Sequence, residues 1–256
     1  MKMKGSFFNR KDCAVTALFN VDGNWEQNLA LVRRSAAEGA DAIAIQLMQF
    51  PGELRTVDRF RELMDAAPEL PFMFINYRSD CVHGTDDEAR QQCLLDTIKA
   101  GAEVVDVMGD LFAAAPYELT LDQAAVRKQK DLISKIHDMG AKVVMSSHMP
   151  HFRKAEEILW HLREEEARGA DLLKIVTRAD TGDELAEAMR ATPLLKQALS
   201  KPFIQLCNGK FSRIHRYMGP KLGCAVAFAM LDETPESQPS IRNFKTVLQT
   251  INFPPQ

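Results

Sequence analysis

The amino-acid sequence predicts an α/β protein with the architecture of a single-domain (β/α)8 TIM barrel. Short apolar segments alternate with longer amphipathic segments along the whole chain, which is typical of β/α units around a parallel sheet. Eight such pairs in 256 residues match the usual size of a (β/α)8 barrel. No low-complexity linker or block of charge divides residues 1–256, so one domain is the simplest interpretation. A doubly wound sheet covered by helices remains an alternative.

The individual elements follow from the apolar periodicity and from the residues that end each segment. Strands are predicted at 14–20, 42–48, 71–77, 104–108, 142–147, 172–177, 202–207 and 224–230. Helices are predicted at 25–38, 56–66, 86–100, 120–138, 153–168, 181–199 and 240–251, while 210–219 is ambiguous. Gly-Ala pairs that begin at 39, 101, 140 and 169 mark helix-to-strand junctions, where Gly supplies a left-handed C-cap conformation.

The composition is that of an ordinary soluble globular protein, with 46% hydrophobic residues, 26% charged residues and a formal net charge of -3. Without a basic surplus, nucleic acid is not expected as the main partner, and small-molecule chemistry is favoured. No apolar stretch approaches the roughly 20 residues needed to span a bilayer, so no membrane association is expected. Five scattered cysteines without a CxxC pair predict reduced thiols, no structural zinc and a cytoplasmic location.

Lys174 is an unexpected cation in 169-GADLLKIVTRAD-180, where the neighbouring residues are apolar or β-branched as in a buried strand. A structural interpretation is that the lysine stem lies along an apolar wall while the ammonium reaches the rim. The functional interpretation is that desolvation lowers the pKa of the amine and makes it a nucleophile, which forms an imine with a ketone or aldehyde.

A partner for this lysine stands at the end of the preceding strand, in 142-KVVMSSHMPHF-152. Adjacent strands lie about 4.8 Å apart, so His148 and Lys174 can meet over one substrate. Imidazole, with a pKa of about 6.5, both accepts and donates a proton at neutral pH. The pairing of His148 with Lys174 favours the functional interpretation, and His151 is the weaker candidate.

Two further features concern metals and anions. The other histidines give no HxH or HExxH pattern, so no metal site built by the protein is expected. The segment 208-NGKFSRIHRYMGPKLG-223 contains Arg213 and Arg216, either of which offers a planar fork for a carboxylate or phosphate.

With these segments placed, the chain resembles the type I 3-dehydroquinate dehydratase family over nearly its whole length. The likeness is carried by VVMSSH for the strand-end histidine, GADLLKI for the Schiff-base lysine, GKFSRI for the carboxylate-binding arginine and FINYRS for a strand-three arginine. The 26-residue interval from His148 to Lys174 also fits. GCAVAFAM followed by SQPSIRNFKTVL resembles the eighth strand, the substrate-covering loop and the final helix of the family.

The resemblance implies a barrel, usually a homodimer, that dehydrates 3-dehydroquinate to 3-dehydroshikimate without a metal or a diffusible cofactor. It implies Lys174 as the nucleophile that forms the imine and His148 as the general acid/base. The substrate contacts that it implies are Arg213, Arg78, Gln238 and Thr234, the last two in a loop near 231–239 that covers the substrate.

The sequence departs from the family pattern where the substrate is expected to touch the pocket wall. The second strand of the family ends in Glu-x-Arg-x-Asp, whereas 44-AIQLM-48 offers Ala44, Gln46 and Met48. Val82 replaces the acid that follows the strand-three arginine. On strand four Asp106 keeps an acid, but the Asp-x-Glu pattern becomes 106-DVM-108. Gln46, Asn76 and Arg78 are candidates to replace the lost groups.

Three functions therefore stay open at the level of sequence. The first is a dehydratase of the family type. The second is a Schiff-base lyase or aldolase that acts on a less polar small-molecule oxo acid, for which the uncharged second strand makes a suitable wall. The third is a non-catalytic binding barrel, which gives little chemical reason to retain a desolvated lysine.

Overall fold

The structure, a computed structural model, describes residues 5–8, 10–233 and 238–251. Eight parallel strands form one sheet in the order β7-β6-β5-β4-β3-β2-β1-β8, so the first strand lies beside the last. Between β7 and β8 the Ala225 N–H donates to the Phe203 carbonyl at 2.9 Å. The sheet is therefore a nearly closed (β/α)8 barrel, and the doubly wound alternative is wrong.

The strands and helices alternate in the predicted order. The strands are β1 Ala14–Asn20, β2 Ala42–Gln46, β3 Phe72–Ile75, β4 Val104–Met108, β5 Lys142–His148, β6 Leu172–Arg178, β7 Phe203–Asn208 and β8 Val226–Ala229. The helices are α1 Trp25–Ala37, α2 Val57–Asp65, α3 Asp87–Ala100, α4 Gln123–Asp138, α5 Ala155–Ala167, α6 Gly182–Ala198, α7 Ser212–Leu222 and α8 Ile241–Ile251. The ambiguous segment 210–219 thus lies largely in α7. Two 3-10 helices, Gly52–Leu54 and Pro116–Glu118, were not predicted.

The ends of the helices follow the local chemistry of the sequence. The side chains of Asp86 and Asp122 accept the Ala89 and Ala125 N–H groups at the starts of α3 and α4, which supplies acceptors to donors that have none within the helix. The predicted left-handed junction glycines are confirmed, with φ between 85° and 119° at Gly39, Gly101, Gly140 and Gly169. The four glycines lie between the ends of α1, α3, α4 and α5 and the starts of β2, β4, β5 and β6.

Alternation along the strands divides the barrel interior into an apolar floor and a polar mouth. The floor is an apolar cluster that includes Ala42, Ala44, Met73, Ile75, Val144 and Leu172. Because every second residue of a strand faces the same side, the positions that follow on this face lie at the carboxyl ends of the strands. They are Gln46, Tyr77, Asp106, Ser146, His148 and Lys174, and in this fold that end is where active sites form.

Three general expectations can be compared with the structure. The five cysteines are all free thiols, and burial raises the pKa of both Cys93 and Cys207 to about 11. Within 5–8, 10–233 and 238–251, no helix is long and apolar enough to cross a membrane. In the same ranges, no group of three or more His, Cys, Asp or Glu side chains is placed to hold a metal ion.

Candidate active site

Lys174 lies in the middle of β6 with its ammonium inside the mouth of the barrel. The residue is 4% exposed. Its Nζ lies 3.0 Å from Nε2 of His148, at the end of the neighbouring β5, and it donates to the hydroxyl of Tyr77 at 2.6 Å. The structure thus brings together the lysine and histidine that the sequence pairs. His151 is exposed, and it is His148 that contacts the amine.

The protonation of His148 follows from the groups on its two ring nitrogens. Glu118 Oε2 lies 2.9 Å from Nδ1 and also accepts the His148 backbone N–H at 2.7 Å. A carboxylate on Nδ1 places the ring hydrogen there, so the lone pair of Nε2 faces the amine of Lys174. Burial, aided by the charge of Lys174, lowers the pKa of His148, while Glu118 opposes the shift. His148 is therefore a neutral base at neutral pH.

Glu118 reaches His148 through an unusual backbone conformation. Tyr117 and Glu118 have φ of 62° and 49°, in the left-handed region that costs a non-glycine residue about 1–2 kcal/mol. The Glu118 carbonyl accepts the Ser147 hydroxyl at 2.7 Å. A Cβ at Gly109 would lie 2.5 Å from that carbonyl oxygen and 2.7 Å from the Ser147 Oγ. Only glycine at 109 permits this close approach.

A buried arginine and a buried glutamine stabilise the loop between β4 and α4, which carries Glu118. Arg168 donates to the carbonyls of Gly109 and Thr120, each at 2.6 Å, and to the side-chain oxygen of Gln129 at 2.8 Å. Gln129 donates in turn to the carbonyls of Gly109 and Leu111 at 3.1 and 2.9 Å. Strained backbone persists where its surroundings over-determine it, and these five hydrogen bonds supply that constraint.

The other side of the amine is formed by Tyr77 and Asp106. The Tyr77 hydroxyl donates to Asp106 Oδ2 at 3.1 Å, and Ser146 donates to Oδ1 at 2.6 Å. Burial raises the pKa of Tyr77 well above its ordinary value, so the phenol keeps its proton. Burial also raises the pKa of Asp106, against the opposing charge of Lys174. The Tyr77 ring meets the His148 ring edge-on, with centroids 4.8 Å apart.

Buried carboxylates also surround the lysine itself. Burial lowers the pKa of Lys174, whereas the negative charges of Asp106, Glu118 and Glu165 oppose that shift. Glu165, on α5, accepts the Lys174 backbone N–H at 3.0 Å, and its other oxygen lies 3.2 Å from the Ser147 hydroxyl, whose hydrogen is donated to the Glu118 carbonyl. One side chain behind the sheet thereby ties β5 to β6, the two strands that carry the pair.

A model of the family described as type I 3-dehydroquinase matches residues 21–253, which is most of the chain. The chain belongs to the type I 3-dehydroquinase family. It is similar to the 3-dehydroquinate dehydratase of Alkaliphilus oremlandii, with 31% identity over 48% of this chain and 49% of the relative. It is also similar to that of Geobacillus thermodenitrificans, with 25% identity over 93% and 90% of the two chains.

The fold is that of solved structures from the same family. The type I 3-dehydroquinate dehydratase from Clostridium difficile superposes with a TM-score of 0.79 at 18% identity, over 98% of this chain and 96% of that one. The acids that the family pattern carries on strand two and after the strand-three arginine are absent here. In this type I 3-dehydroquinase chain, the carboxylate on His148 comes from Glu118, in the loop after β4.

The predicted substrate contacts lie in different surroundings. Gln46 ends β2 on the face that lines the mouth. Arg78 donates to Asp110 at 2.7 Å and to Asp87 at 3.2 Å, so its guanidinium is engaged by two acids of the chain. Thr234 lies outside the described residues. The roles of these three as substrate contacts stay predictions.

The two arginines of α7 differ in what they bind. Arg213 pairs with Glu233 at 2.6 Å. Arg216 donates to Asn208 at 2.9 Å and to Gln238, the predicted covering-loop residue, at 3.2 Å. Burial lowers the pKa of Arg216 to about 10, and the group remains a cation at neutral pH. Both arginines that the sequence offered therefore stay candidates for the carboxylate of a substrate.

Sequence reasoning missed Tyr77 and Glu118 as members of the site. Tyr77 stands two residues beyond Ile75 on the inward face, so the period of the strand contained the signal that identifies it. Glu118 lies between β4 and α4, where the sequence has neither periodicity nor a turn motif that predicts a left-handed pair. No local signal indicated its approach to His148.

Proposed function

We propose that the protein is an imine-forming dehydratase that converts 3-dehydroquinate to 3-dehydroshikimate. The main observation is the contact of 3.0 Å between Nζ of Lys174 and Nε2 of His148, in a chain of the type I 3-dehydroquinase family. This geometry supports the proposal because a nucleophilic amine needs a base that takes its proton and later returns it.

Imine formation uses the pair as follows. His148 takes a proton from the Lys174 ammonium, and the neutral amine adds to the ketone carbon. The oxygen of the adduct receives a proton from the imidazolium, and Nε2 takes one of the two hydrogens now on nitrogen. The same imidazolium then protonates the hydroxyl of the adduct, which leaves as water. One hydrogen remains on the iminium nitrogen, and His148 is neutral again.

Elimination follows because the iminium is an electron sink. Neutral His148 removes a proton from the carbon next to the iminium carbon, and the bonding electrons neutralise the nitrogen. The resulting enamine expels the hydroxyl on the next carbon, which takes its proton from His148 and leaves as a second water. Hydrolysis of the conjugated iminium releases 3-dehydroshikimate and restores Lys174. Glu118 positions His148 and stabilises the imidazolium in both half-reactions.

The substrate carboxylate needs a cation at the rim of the mouth. The family resemblance implies Arg213, yet a substrate carboxylate would have to displace Glu233 from that guanidinium. In the part of the chain that the structure describes, Arg216 hydrogen-bonds to the uncharged Asn208 and Gln238. Arg216 is therefore the better candidate, and its contact with Gln238 relates the cation to the predicted covering loop.

Borohydride trapping tests the proposal. Incubation with 3-dehydroquinate and reductant should add the mass of the reduced ligand to the peptide that contains Lys174. Lys174→Met should abolish the adduct while the protein stays folded by circular dichroism. Lys142→Met, at the opposite end of the neighbouring β5, is the matched control and should be labelled like the wild type. Trapping with other oxo acids but not with 3-dehydroquinate would overturn the assigned substrate, and no adduct with any carbonyl compound would overturn the imine.

The proposal includes the setting in which the enzyme works. A 3-dehydroquinate dehydratase acts on a small polar metabolite, which fits a cytoplasmic protein with free thiols. The family resemblance adds a homodimer that uses no cofactor. Sedimentation of the purified protein tests the dimer, because a mass near 28.7 kDa would identify a monomer instead.

A further inference from the structure

The hydroxyl of Tyr77 is the second hydrogen-bond partner of the reacting nitrogen, beside His148, and it takes no part in the proposed steps of imine formation and elimination. It lies 2.6 Å from Nζ of Lys174 and donates its own hydrogen to Asp106 at 3.1 Å. We infer that Tyr77 is a catalytic residue whose hydroxyl binds the hydrogen that the iminium nitrogen retains, and links that nitrogen to the charge of Asp106. The inference rests on the proposed function, which it deepens.

The number of hydrogens on nitrogen supports this assignment. The ammonium has three, and the structure provides two acceptors for them, the oxygen of Tyr77 and Nε2 of His148. Once Nε2 has taken one hydrogen, the oxygen of Tyr77 is the acceptor that remains of the two. The iminium has one hydrogen left. If it stays on Tyr77, Nε2 is released and becomes available for the proton on the substrate carbon.

The direction of each hydrogen bond makes Tyr77 a bridge. The hydroxyl has one hydrogen, which it donates to Asp106, so it can only accept from the nitrogen. Asp106 is 2% exposed and is held by Ser146 on its other oxygen. A carboxylate in such a site stabilises a nearby cation more strongly than it would in water. The iminium is that cation, and Tyr77 lies between the two charges.

The groups that face the nitrogen come from three neighbouring parts of the barrel. They are Tyr77 after β3, Asp106 on β4 and His148 at the end of β5. The aromatic rings of Tyr77 and Phe228 lie 5.2 and 5.6 Å from Nζ and form the apolar part of the surroundings. A retained hydrogen on the iminium therefore has one oxygen acceptor at hydrogen-bond distance in the described site.

The first experiment compares Tyr77→Phe with the wild type in steady-state turnover of 3-dehydroquinate. The substitution removes the hydroxyl and keeps the ring against His148. We expect kcat to fall about ten- to a hundred-fold, since a hydrogen bond to a charged group is lost when the iminium forms. Tyr217→Phe is the matched control, because Tyr217 packs its ring against Phe244 on the outer layer and should leave kcat unchanged.

A second readout needs no substrate and separates catalysis from mere support of the fold. The rate of Lys174 acetylation by acetic anhydride, followed by mass spectrometry against pH, reports the midpoint at which the amine loses its proton. Loss of an acceptor for the ammonium should move this midpoint to lower pH in Tyr77→Phe. The variant should thus present more neutral amine than the wild type and still turn over more slowly, which a structural role does not predict.

Asp106→Asn completes the test. If Tyr77 acts by linking the nitrogen to Asp106, the double variant should lose about as much kcat as the more impaired single variant, because both changes interrupt one path. Additive losses would overturn the bridge. Absence of trapping in the wild type would overturn the proposed function itself. Normal trapping in the wild type, together with unchanged kcat and midpoint in Tyr77→Phe, would overturn only the role of Tyr77.

Discussion

Replacing Glu118 with Gln should slow the enzyme without unfolding it, because the change removes a charge and keeps the size of the side chain. Glu118 Oε2 accepts two hydrogen bonds from His148, one from Nδ1 at 2.9 Å and one from the backbone at 2.7 Å. A hydrogen bond to a charged group contributes about 1.5–3 kcal/mol. Because the side chains are 32% and 28% exposed, solvent screening favours the lower end, and about 1.5–2 kcal/mol corresponds to a ten- to thirty-fold loss of kcat.

The same substitution should also shift the pH dependence of kcat in a defined direction. Without Glu118, nothing in that position opposes the lowering of the His148 pKa by burial and by Lys174. In the proposed mechanism the base form of His148 removes the substrate proton, so the acid limb of kcat should move to lower pH. The assay is the appearance of the conjugated product by absorbance across pH. Glu53→Gln, in the other 3-10 helix, is the control. Equal kcat and equal acid limbs in Glu118→Gln and the wild type would refute the role.

Three other predictions concern packing, protonation and substrate binding. Gly109→Ala should lower the free energy of unfolding in urea by about 1–3 kcal/mol through overpacking. At Gly182 an added Cβ has no atom within 4 Å, so the control Gly182→Ala should change the free energy of unfolding by less than about 0.5 kcal/mol. Equal changes in the two variants would contradict the close contact of Gly109 with the Glu118 carbonyl. Burial lowers the pKa of His215 to about 4. As the pH falls below about 6.5, this histidine is protonated in the unfolded state but not in the folded state. The free energy of unfolding should therefore fall by about 1.4 kcal/mol per pH unit between pH 6.5 and 4. His215→Leu should make the free energy of unfolding less dependent on pH in this range. The same pH dependence in the variant and the wild type would disprove the role of His215. Arg216→Met should raise KM about ten- to a hundred-fold, and Arg213→Met should raise it less. A larger increase of KM in Arg213→Met would instead identify Arg213 as the residue that binds the substrate carboxylate.

The fold was predictable because the barrel depends on a pattern that recurs at every step along the chain. Each apolar run that was predicted to be a strand contains a strand of the sheet, and the junction glycines have the left-handed φ that the Gly-Ala pairs indicate. The boundaries were less accurate, because strand ends are set by hydrogen bonds to neighbouring strands. The predicted strand 71–77 is β3 at Phe72–Ile75, and 224–230 is β8 at Val226–Ala229.

The contact between Lys174 and His148 was predictable for a different reason. A cation within an apolar run conflicts with the rest of its own segment, so Lys174 is conspicuous in the sequence alone, and the strand period aligns it with His148. Glu118 was not predictable, because its approach depends on two left-handed residues and on a glycine at 109 that no local motif specifies. The ion pair of Arg213 with Glu233 joins α7 to the segment after β8, and neither segment has a motif that predicts it.

The origin of the carboxylate on His148 has a practical consequence for protein engineering. Since Glu118 enters from the loop after β4, the hydrogen-bonding groups around Lys174 and His148 come from β3 to β6 and the segments that follow these strands. Gln46, at the end of β2, thereby becomes a position at which new side chains can be tested for selectivity among oxo acids while the contact between Lys174 and His148 is preserved. A library at this site, screened by reductive trapping, would exploit that separation.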